Sequence, residues 1–388
     1  MIKIAIVASA PFYYHAPLYS KLSNSAEIDL DVFFCSTPAV KVSDSINLLE
    51  GYKSEFIKNY SPMPSFARGP FGLMNFGIWG KIKNGNYDAV ILQAWNNFTW
   101  WLAFFACNKF NVPVMFMTDS NVMLESSKFF LKRKLKELML RYFFKKSAGF
   151  LAAGKANEQL YLHYGASPKK ISPLPFSWGY EYFLKEAEML KSDRQKNREL
   201  LGIKKDDFVI LYVGRLSEEK NLSFLLKAYN NLKNNRKKLI IIGQGQLKKE
   251  MEALIRDLNI IGVDMLGFKT REELPVYYSI ADSFIMPSKQ DALPLAVNEA
   301  MCFGLPIIAS NAVGSVMDLV KNGYNGFVFP AKDSAALARC LEKMADLPRE
   351  EVLIFGRRSY EAISRWVGKA NPAWIICQLL SDFKKYVG

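Results

Sequence analysis

The chain has 388 residues, half of them hydrophobic, which is enough for two domains with separate cores. Its five cysteines are scattered and mostly lie in apolar runs, so neither a disulfide framework nor a metal site is indicated, and a reducing cytoplasm is the simpler setting. A formal net charge of +14, with a pI near 9.3, indicates an anionic partner or surface.

The amino-terminal half alternates short apolar strands with helical patterns. The predicted strands are IKIAIVASA, DLDVFFCS, DAVILQ, VPVMFMT and GFLAAG. Such alternation indicates a parallel sheet with helices on both faces. The first segment is a buried strand and not a signal peptide, because its apolar run is brief and little charge precedes it. A later apolar stretch is interrupted by Gln93, Asn96 and Asn97, which leaves only ten residues, 98–107, before Asn108, too few to span a bilayer.

Basic charge is concentrated in residues 126–146, which hold eight Lys and Arg against one acid. One stripe at core-facing helical spacing consists of Leu131, Leu135, Leu138 and Tyr142. A second apolar strip, interleaved with cations as in a membrane-surface helix, consists of Phe129, Leu140 and Phe144. A solvated basic helix whose extra phenylalanines touch a neighbouring loop is an equal alternative. The aromatic segment 66–83 either adds to such a surface or belongs to the core.

The second half carries cations and glycines at its predicted strand ends. The strand FVILYV ends at Gly214, Arg215 and Lys220 follow, and Asn221 opens an amphipathic helix. Two cations beside a strand end and a helix start suit a diphosphate, since Arg offers a planar fork and Lys a mobile point charge. The next strand, KLIIIG, runs into Gly243, whose lack of a side chain would let backbone approach a ligand, although a plain turn fits equally well.

Two carboxylates, Asp291 and Glu299, are separated by seven residues in the segment PSKQDALPLAVNEAMCFGLPIIAS. A buried strand is predicted to end just before Asp291, and Pro294 suits the first turn of a helix that Gly304 stops. In open parallel sheets ligands bind at the carboxyl ends of strands, where a helix start also offers N–H groups to an anion. Because a carboxylate accepts two hydroxyl hydrogen bonds, the pair indicates a sugar-nucleotide site.

In order and spacing, residues from about 209 to 330 resemble the carboxyl-terminal half of the retaining glycosyltransferases of family 4, also called glycosyl transferases group 1. The resemblance implies an α/β protein with the GT-B fold, in which two Rossmann-like, doubly wound parallel-sheet domains face a central cleft. An acceptor-binding domain is expected at 1–180, a linker at 181–205 and a donor-binding domain at 206–365. The closing helix, 366–388, is expected to cross back to the first domain.

The resemblance also assigns roles to individual residues. Arg215 and Lys220 would bind the diphosphate, Glu299 the ribose, and Asp291 the hydroxyls of the transferred sugar. Asp291 stands where the family usually has Glu, which shortens its reach by one methylene. The full expected donor site is Gly214, Arg215, Lys220, Gly243, Gly267, Phe268, Asp291, Leu293, Pro294, Leu295 and Glu299, with Gly267 and Phe268 against the base.

The catalytic residues are expected to be Asp291 of the second domain and two residues of the first domain. Asp119 stands, after Thr118, where relatives place a His near the reacting sugar, and it would orient an acceptor hydroxyl or stabilise positive charge. An N-cap for the next helix is an equal alternative for Asp119. His15, among three aromatics in the first loop, is a further acceptor-site candidate.

The implied activity is transfer of a sugar, with retention, from a nucleoside diphosphate to a hydroxyl, without a metal. UDP is the favoured donor nucleotide and GDP the second. The acceptor would be a glycan or polyprenyl-diphosphate-linked glycan in cell-surface polysaccharide biosynthesis. The protein would meet it in the cytoplasm or at the inner membrane face, with residues 126–146 as the candidate membrane contact. No zinc-finger, RNP-like or recognition-helix pattern favours nucleic acid. The alternative is a non-catalytic nucleotide-sugar-binding or membrane-binding protein of the same fold.

Overall fold

The computed structural model describes residues 1–37, 48–65, 69–121, 130–175, 179–233, 236–368 and 371–387. The chain divides into two compact units. Unit 1 consists of Met1–Trp178 with Lys369–Gly388, and unit 2 is Gly179–Gly368.

Unit 1 is built on a parallel sheet of seven strands. The strands are β1 (Ile2–Ala8), β2 (Ile28–Phe34), β3 (Lys53–Phe56), β4 (Ala89–Leu92), β5 (Val114–Thr118), β6 (Gly149–Ala152) and β7 (Ile171–Pro173). Their order across the sheet is β3-β2-β1-β4-β5-β6-β7, so the winding direction reverses between β1 and β4. The first five helices are α1 (Ala16–Ser23), α2 (Gly77–Asn84), α3 (Phe98–Lys109), α4 (Phe130–Lys146) and α5 (Lys155–His163).

The sheet of unit 1 contains the five strands expected from the sequence and two more at its edges. The central strands are apolar and buried on both faces, which is why their patterns are readable. The additional strands β3 and β7 are short, and most residues of β3 are exposed. An edge strand pairs on one side only and needs no apolar run, so the sequence carries no clear signal for it.

Unit 2 has a parallel sheet of six strands in the order β10-β9-β8-β11-β12-β13. The strands are β8 (Phe208–Val213), β9 (Lys237–Ile242), β10 (Val263–Gly267), β11 (Ser283–Met286), β12 (Ile307–Ser310) and β13 (Gly326–Phe329). The helices are α6 (Tyr180–Leu190), α7 (Arg194–Leu200), α8 (Leu222–Asn230), α9 (Lys248–Asp257), α10 (Leu274–Ile280), α11 (Leu295–Cys302), α12 (Val316–Leu319), α13 (Ser334–Asp346) and α14 (Arg349–Gly368). Here the winding reverses between β8 and β11.

The last helix, α15 (Pro372–Val387), belongs to unit 1, where it contacts α1 and β6. Gly149 of β6 leaves room for it, since a Cβ there would lie 3.3 Å from Leu379 Cδ1. Lys384 Nζ adds an ion pair with Asp88 Oδ1 at 3.3 Å. Trp366, where the crossing helix was expected to begin, still lies in α14 of unit 2.

The stretch expected to be a linker, 181–205, is instead helical and packed on unit 2. It forms most of α6 and all of α7, and both helices contact α10. Two of its charged residues are structural: Arg194 Nη2 pairs with Asp282 Oδ1 at 2.6 Å, and the buried Arg198 donates to the Ile280 carbonyl at 2.8 Å. Their role is to satisfy the carbonyls at the end of α10, so a polar composition here did not mean a loop.

The basic helix α4 packs against the core with one face, and this face is opposite to the predicted one. Leu140 and Phe144 are buried, as is Phe143, whereas Leu135 and Leu138 of the expected core stripe are 69% and 67% exposed. The buried rings join an aromatic cluster, in which Phe143 stacks on Phe104 with centroids 4.1 Å apart. Periodicity allowed either stripe to face the core, and these aromatic contacts decided between them. Phe129 and the side chain of Leu131 lie outside the described residues.

Among the described residues, no helix has the length and apolar content needed to cross a bilayer.

Candidate functional site

Three glycine loops meet at the carboxyl edge of the unit 2 sheet. The Gly214 N–H donates to the Ile242 carbonyl at 3.0 Å, and the Gly243 N–H donates to the Gly267 carbonyl at 2.7 Å. Gly243 has φ +147°, and a Cβ there would lie only 1.9 Å from the Gly214 carbonyl oxygen. Only glycine fits this position, because the loops after β8 and β9 touch through their backbones.

Lys220 ends a short 3-10 turn, Glu218–Lys220, between β8 and α8, and is 8% exposed. The next residue, Asn221, adopts a left-handed conformation with φ +60° and donates from Nδ2 to the Pro287 carbonyl at 3.3 Å. This bond ties the turn to the end of β11. Lys220 is thereby held at the sheet's winding reversal, where ligands bind in doubly wound sheets.

Asp291 lies directly across from Lys220, and its Oδ2 forms an ion pair with Lys220 Nζ. The Ser288 hydroxyl also donates to that oxygen at 3.3 Å. The Asp291 backbone is fixed by the following loop, since its N–H donates to the Ala312 carbonyl at 3.0 Å and its carbonyl accepts from Gly314 N–H at 2.9 Å. The structure thus joins two expected site residues, 71 positions apart in the chain, into one pair.

Arg215 differs from Lys220 in its surroundings. Its side chain is 76% exposed and forms an ion pair with Glu219 at 3.2 Å. An exposed pair of this kind contributes little and breaks easily. Arg215 can therefore swing toward an anion, whereas Lys220 is already placed.

The helix α11 begins beside Asp291, with Pro294 as its N-cap residue at φ −70° and ψ 108°. The Pro294 side chain makes no capping hydrogen bond, and the Val297 N–H donates to the Pro294 carbonyl at 3.1 Å. The segment Leu293, Pro294 and Leu295 therefore leaves the N–H groups of Leu295 and Ala296 for solvent or for an anion. Together with Lys220, this helix start can receive a phosphate.

Glu299 is not part of the Lys220–Asp291 pair. It is 4% exposed, and its Oε2 accepts a hydrogen bond from Tyr278 Oη at 2.7 Å. Burial raises its pKa from 4.5 to about 7, while the Tyr278 bond and the nearby Arg271 act in the opposite direction. A ribose hydroxyl would have to reach a carboxylate of which little is exposed.

Gly267 is the last residue of β10, and Phe268, which follows it, is 59% exposed. Three residues further on, the Arg271 guanidinium lies 4.6 Å from the ring centroid of Tyr182 and donates to the Gly179 carbonyl at 2.9 Å. An exposed aromatic ring such as that of Phe268 can flank a planar base.

A second candidate site is a cavity of about 330 Å³ in unit 1, at the carboxyl ends of β1, β4 and β5. Its lining combines aromatic rings with polar side chains, namely Phe12, Tyr14, His15, Gln93, Trp95, Asn96, Asn97, Trp100, Thr118, Asp119 and Lys136. The indole N–H of Trp100 is buried and has no partner among the described residues. Buried donors are almost always satisfied, so this one calls for a ligand or a water.

His15 and Asp119, the two expected acceptor-site residues of unit 1, both line this cavity. Burial lowers the pKa of His15 to about 3, so its imidazole is neutral near pH 7 and cannot supply a positive charge. Asp119 is exposed at the rim, and the loop that carries it is held by Asn157 Nδ2, which donates to the Ser120 carbonyl at 2.7 Å. The N-cap alternative for Asp119 falls on residues 122–129, which lie outside the described residues.

Several residues of these sites were not predicted from the sequence. Tyr278 of α10 and Arg271, in the loop before α10, lie near Glu299. No local sequence pattern predicts either of them as a neighbour of this carboxylate. Gln93 follows the predicted strand DAVILQ, and a polar residue directly after a buried parallel strand is a signal that could have found it.

Comparisons with known proteins agree with this geometry. Residues 193–361 match the sequence model of the family Glycosyl transferases group 1. The solved Anabaena protein HepE in complex with UDP superposes with a TM-score of 0.73, covering 100% of this chain and 99% of that one, at 18% identity. The chain has the GT-B fold. At this identity the likeness to HepE shows the fold alone.

Two curated bacterial relatives match part of the chain. One is UDP-Gal:alpha-D-GlcNAc-diphosphoundecaprenol alpha-1,3-galactosyltransferase of Escherichia coli, 31% identical over 185 residues. The other, from Campylobacter jejuni, is named as an alpha-1,4-N-acetyl-D-galactosaminyltransferase acting on a PP-undecaprenol-linked glycan, 31% identical over 169 residues. The matches span 46% and 42% of this chain and 46% of each relative. The chain thus spans less than half the length of each of these relatives, and the family match lies within unit 2.

Proposed function

We propose that the protein is a glycosyltransferase that moves a sugar from a nucleoside diphosphate to a hydroxyl of a glycan or lipid-linked glycan. The observation that carries the proposal is the Lys220–Asp291 pair, held at the winding reversal of the unit 2 sheet beside the uncapped start of α11. A cation and free N–H groups suit a diphosphate, and the adjoining carboxylate suits the hydroxyls of the sugar attached to it.

The leaving diphosphate would be stabilised by Lys220, by Arg215 after it leaves Glu219, and by the N–H groups of α11. Charge stabilisation of this kind is usually the largest catalytic contribution in such reactions. Because these groups would supply the positive charge that the diphosphate needs, the proposal includes no metal. Retention of configuration by attack on the face that the diphosphate leaves fits the same arrangement, because Asp291 is engaged with Lys220 and no carboxylate nucleophile is assigned.

The acceptor would bind in the unit 1 cavity. Its aromatic walls suit the apolar face of a sugar ring, and the buried indole N–H of Trp100 suits a hydroxyl oxygen. Asp119 would orient the attacking hydroxyl, with neutral His15 as a hydrogen-bonding neighbour. The undecaprenol-linked substrates in the names of the two relatives favour a lipid-linked acceptor in cell-surface polysaccharide biosynthesis, met by a cytoplasmic enzyme at the inner membrane face.

The deciding experiment is a calorimetric titration of the full chain with UDP, GDP, ADP and CMP, each with Mg²⁺ and with EDTA. We expect selective binding of one nucleoside diphosphate, UDP first and GDP second, unchanged by EDTA. Binding that requires Mg²⁺ would overturn the metal-free proposal, and binding of none would overturn the donor site.

Transfer itself needs a separate assay, with the sugar form of the best nucleotide and undecaprenyl-diphosphate-linked sugar acceptors. The anomeric configuration of the product, read by NMR, should match that of the donor, and an inverted linkage would refute retention. Nucleotide-sugar binding without transfer to any acceptor or to water would favour the alternative, a non-catalytic protein of the same fold.

A further inference from the structure

The outer face of α4 carries a stripe of apolar and cationic side chains, which we call the α4 stripe. Its members are Lys134, Leu135, Leu138, Arg141, Tyr142 and Lys145. We propose that the α4 stripe docks unit 1 on an anionic lipid bilayer. This is the face that periodicity assigned to the core. It differs from the strip of Phe129, Leu140 and Phe144 that the sequence offered for membrane contact as one of two equal alternatives.

All six residues of the α4 stripe are exposed, and their spacings of three and four place them on one side of the helix. Leu135 and Leu138 are 69% and 67% exposed, and Tyr142 is 48% exposed. Single exposed leucines are ordinary, but three large apolar residues in one line are a contiguous patch.

The opposite face of α4 is fully occupied, so the stripe cannot be explained as core left partly uncovered. Leu140, Phe143 and Phe144 are at most 2% exposed and pack in the core of unit 1. With that face buried, the apolar atoms of the stripe remain in water unless something covers them, and covering apolar surface is favourable in proportion to its area.

The charges of the stripe indicate what covers it. Lys134, Arg141 and Lys145 flank the leucines, and Arg141 forms an ion pair with the half-buried Glu137 of the same helix at 2.9 Å. A two-fold contact between copies of the chain would place these cations against the same cations of the second copy. An anionic bilayer instead takes the apolar side chains into its interface and the cations at its head groups.

The same helix connects this surface with the proposed acceptor site. Lys136 lies on the side of α4 that lines the unit 1 cavity, one residue from Leu135. A bilayer against the stripe would therefore bring the head groups of lipid-linked molecules near the cavity mouth. The inference deepens the proposed function in this respect, but it is tested without any nucleotide or transfer assay.

The experiment is co-sedimentation of the full chain with vesicles of phosphatidylcholine alone and of an equal mixture with phosphatidylglycerol, at low salt. One variant removes the cations, Lys134→Gln, Arg141→Gln and Lys145→Gln. Since each cation near an anionic surface contributes to binding, we expect about a hundredfold lower partition coefficient for this variant. The Leu135→Ser, Leu138→Ser variant should lose at least about tenfold, because it buries less apolar area.

Matched controls carry the same changes at exposed positions of unit 2. They are Lys196→Gln, Lys205→Gln with Lys249→Gln, and Leu200→Ser with Ile261→Ser. Both should bind mixed vesicles as the unchanged protein does. Melting temperatures and nucleotide affinity should be unchanged in all variants, which separates failure of this proposal from failure of the donor site.

Two results would overturn the proposal. One is binding to mixed vesicles that survives both stripe variants, or that the controls lose equally. The other is a protein that does not bind vesicles but is dimeric in light scattering, and whose dimers are lost in the Leu135→Ser, Leu138→Ser variant. That result would assign the stripe to contact with a second copy of the chain.

Discussion

Replacing Lys220 by Met tests whether the ion pair of unit 2 serves the diphosphate or only the fold. Lys220 is nearly buried, and its side chain faces Asp291, which is 13% exposed. A hydrogen bond to a charged group contributes about 1.5–3 kcal/mol, so loss of the contact with a phosphate should raise the Kd of the bound nucleoside diphosphate about 10- to 150-fold. Calorimetry with the diphosphate and with the free nucleoside separates the two parts of the ligand, and only the diphosphate should weaken.

The same change leaves Asp291 without its cation, which should lower the free energy of unfolding by about 1–3 kcal/mol. The double variant Lys220→Met, Asp291→Asn removes both charges and should recover much of that loss in urea unfolding. If the diphosphate affinity also recovers in the double variant, Lys220 acts only through Asp291, and the phosphate assignment is wrong.

A matched control removes a lysine from the neighbouring helix α8. Lys227→Met changes the same charge at an exposed position and should leave the diphosphate affinity within about twofold. An unchanged affinity in Lys220→Met itself would refute the reasoning directly and place the phosphate site elsewhere.

Two other changes test the donor site through stability. Burial raises the pKa of Glu299 from 4.5 to about 7, so the folded state holds this proton more tightly than the unfolded state does. The protonated carboxyl therefore contributes its full stabilisation below pH 4.5, and this contribution is lost as the pH rises through about 7. Relative to Glu299→Gln, the unchanged protein should lose up to about 3 kcal/mol in urea unfolding between pH 4.5 and pH 8, and parallel pH curves would contradict the burial. Gly243→Ala forces a Cβ within 1.9 Å of the Gly214 carbonyl oxygen. It should lower the free energy of unfolding by more than about 2 kcal/mol and weaken the binding of the donor nucleotide. Gly80→Ala, in open space on α2, is its control and should be neutral or stabilising, and equal effects of the two would contradict the close loop contact.

The strands, and the positions of the candidate donor residues relative to them, could be predicted because their signals are local. β8, β9 and β11 are apolar runs that end at glycines, cations or a carboxylate, so their order and the positions of Gly214, Lys220 and Asp291 at strand ends follow from the sequence. The helix α11 likewise begins directly after Pro294 and ends before Gly304, as its composition indicates. The linker expectation failed because Arg194 and Arg198 are charged for a structural reason that only Asp282, more than 80 residues away, reveals.

The sequence by itself determined the fold class of this protein, the two series of parallel strands, and which residues follow each strand, because these depend on burial patterns within about ten residues. Tertiary structure alone decided which residues become partners. It placed Lys220 against Asp291, set Tyr278 on Glu299, and turned Phe143 and Phe144 of α4 into the aromatic core while leaving Leu135 and Leu138 outside. A helix with two apolar stripes has no local preference between them, and only the volume and shape of the rings already in the core could make that choice.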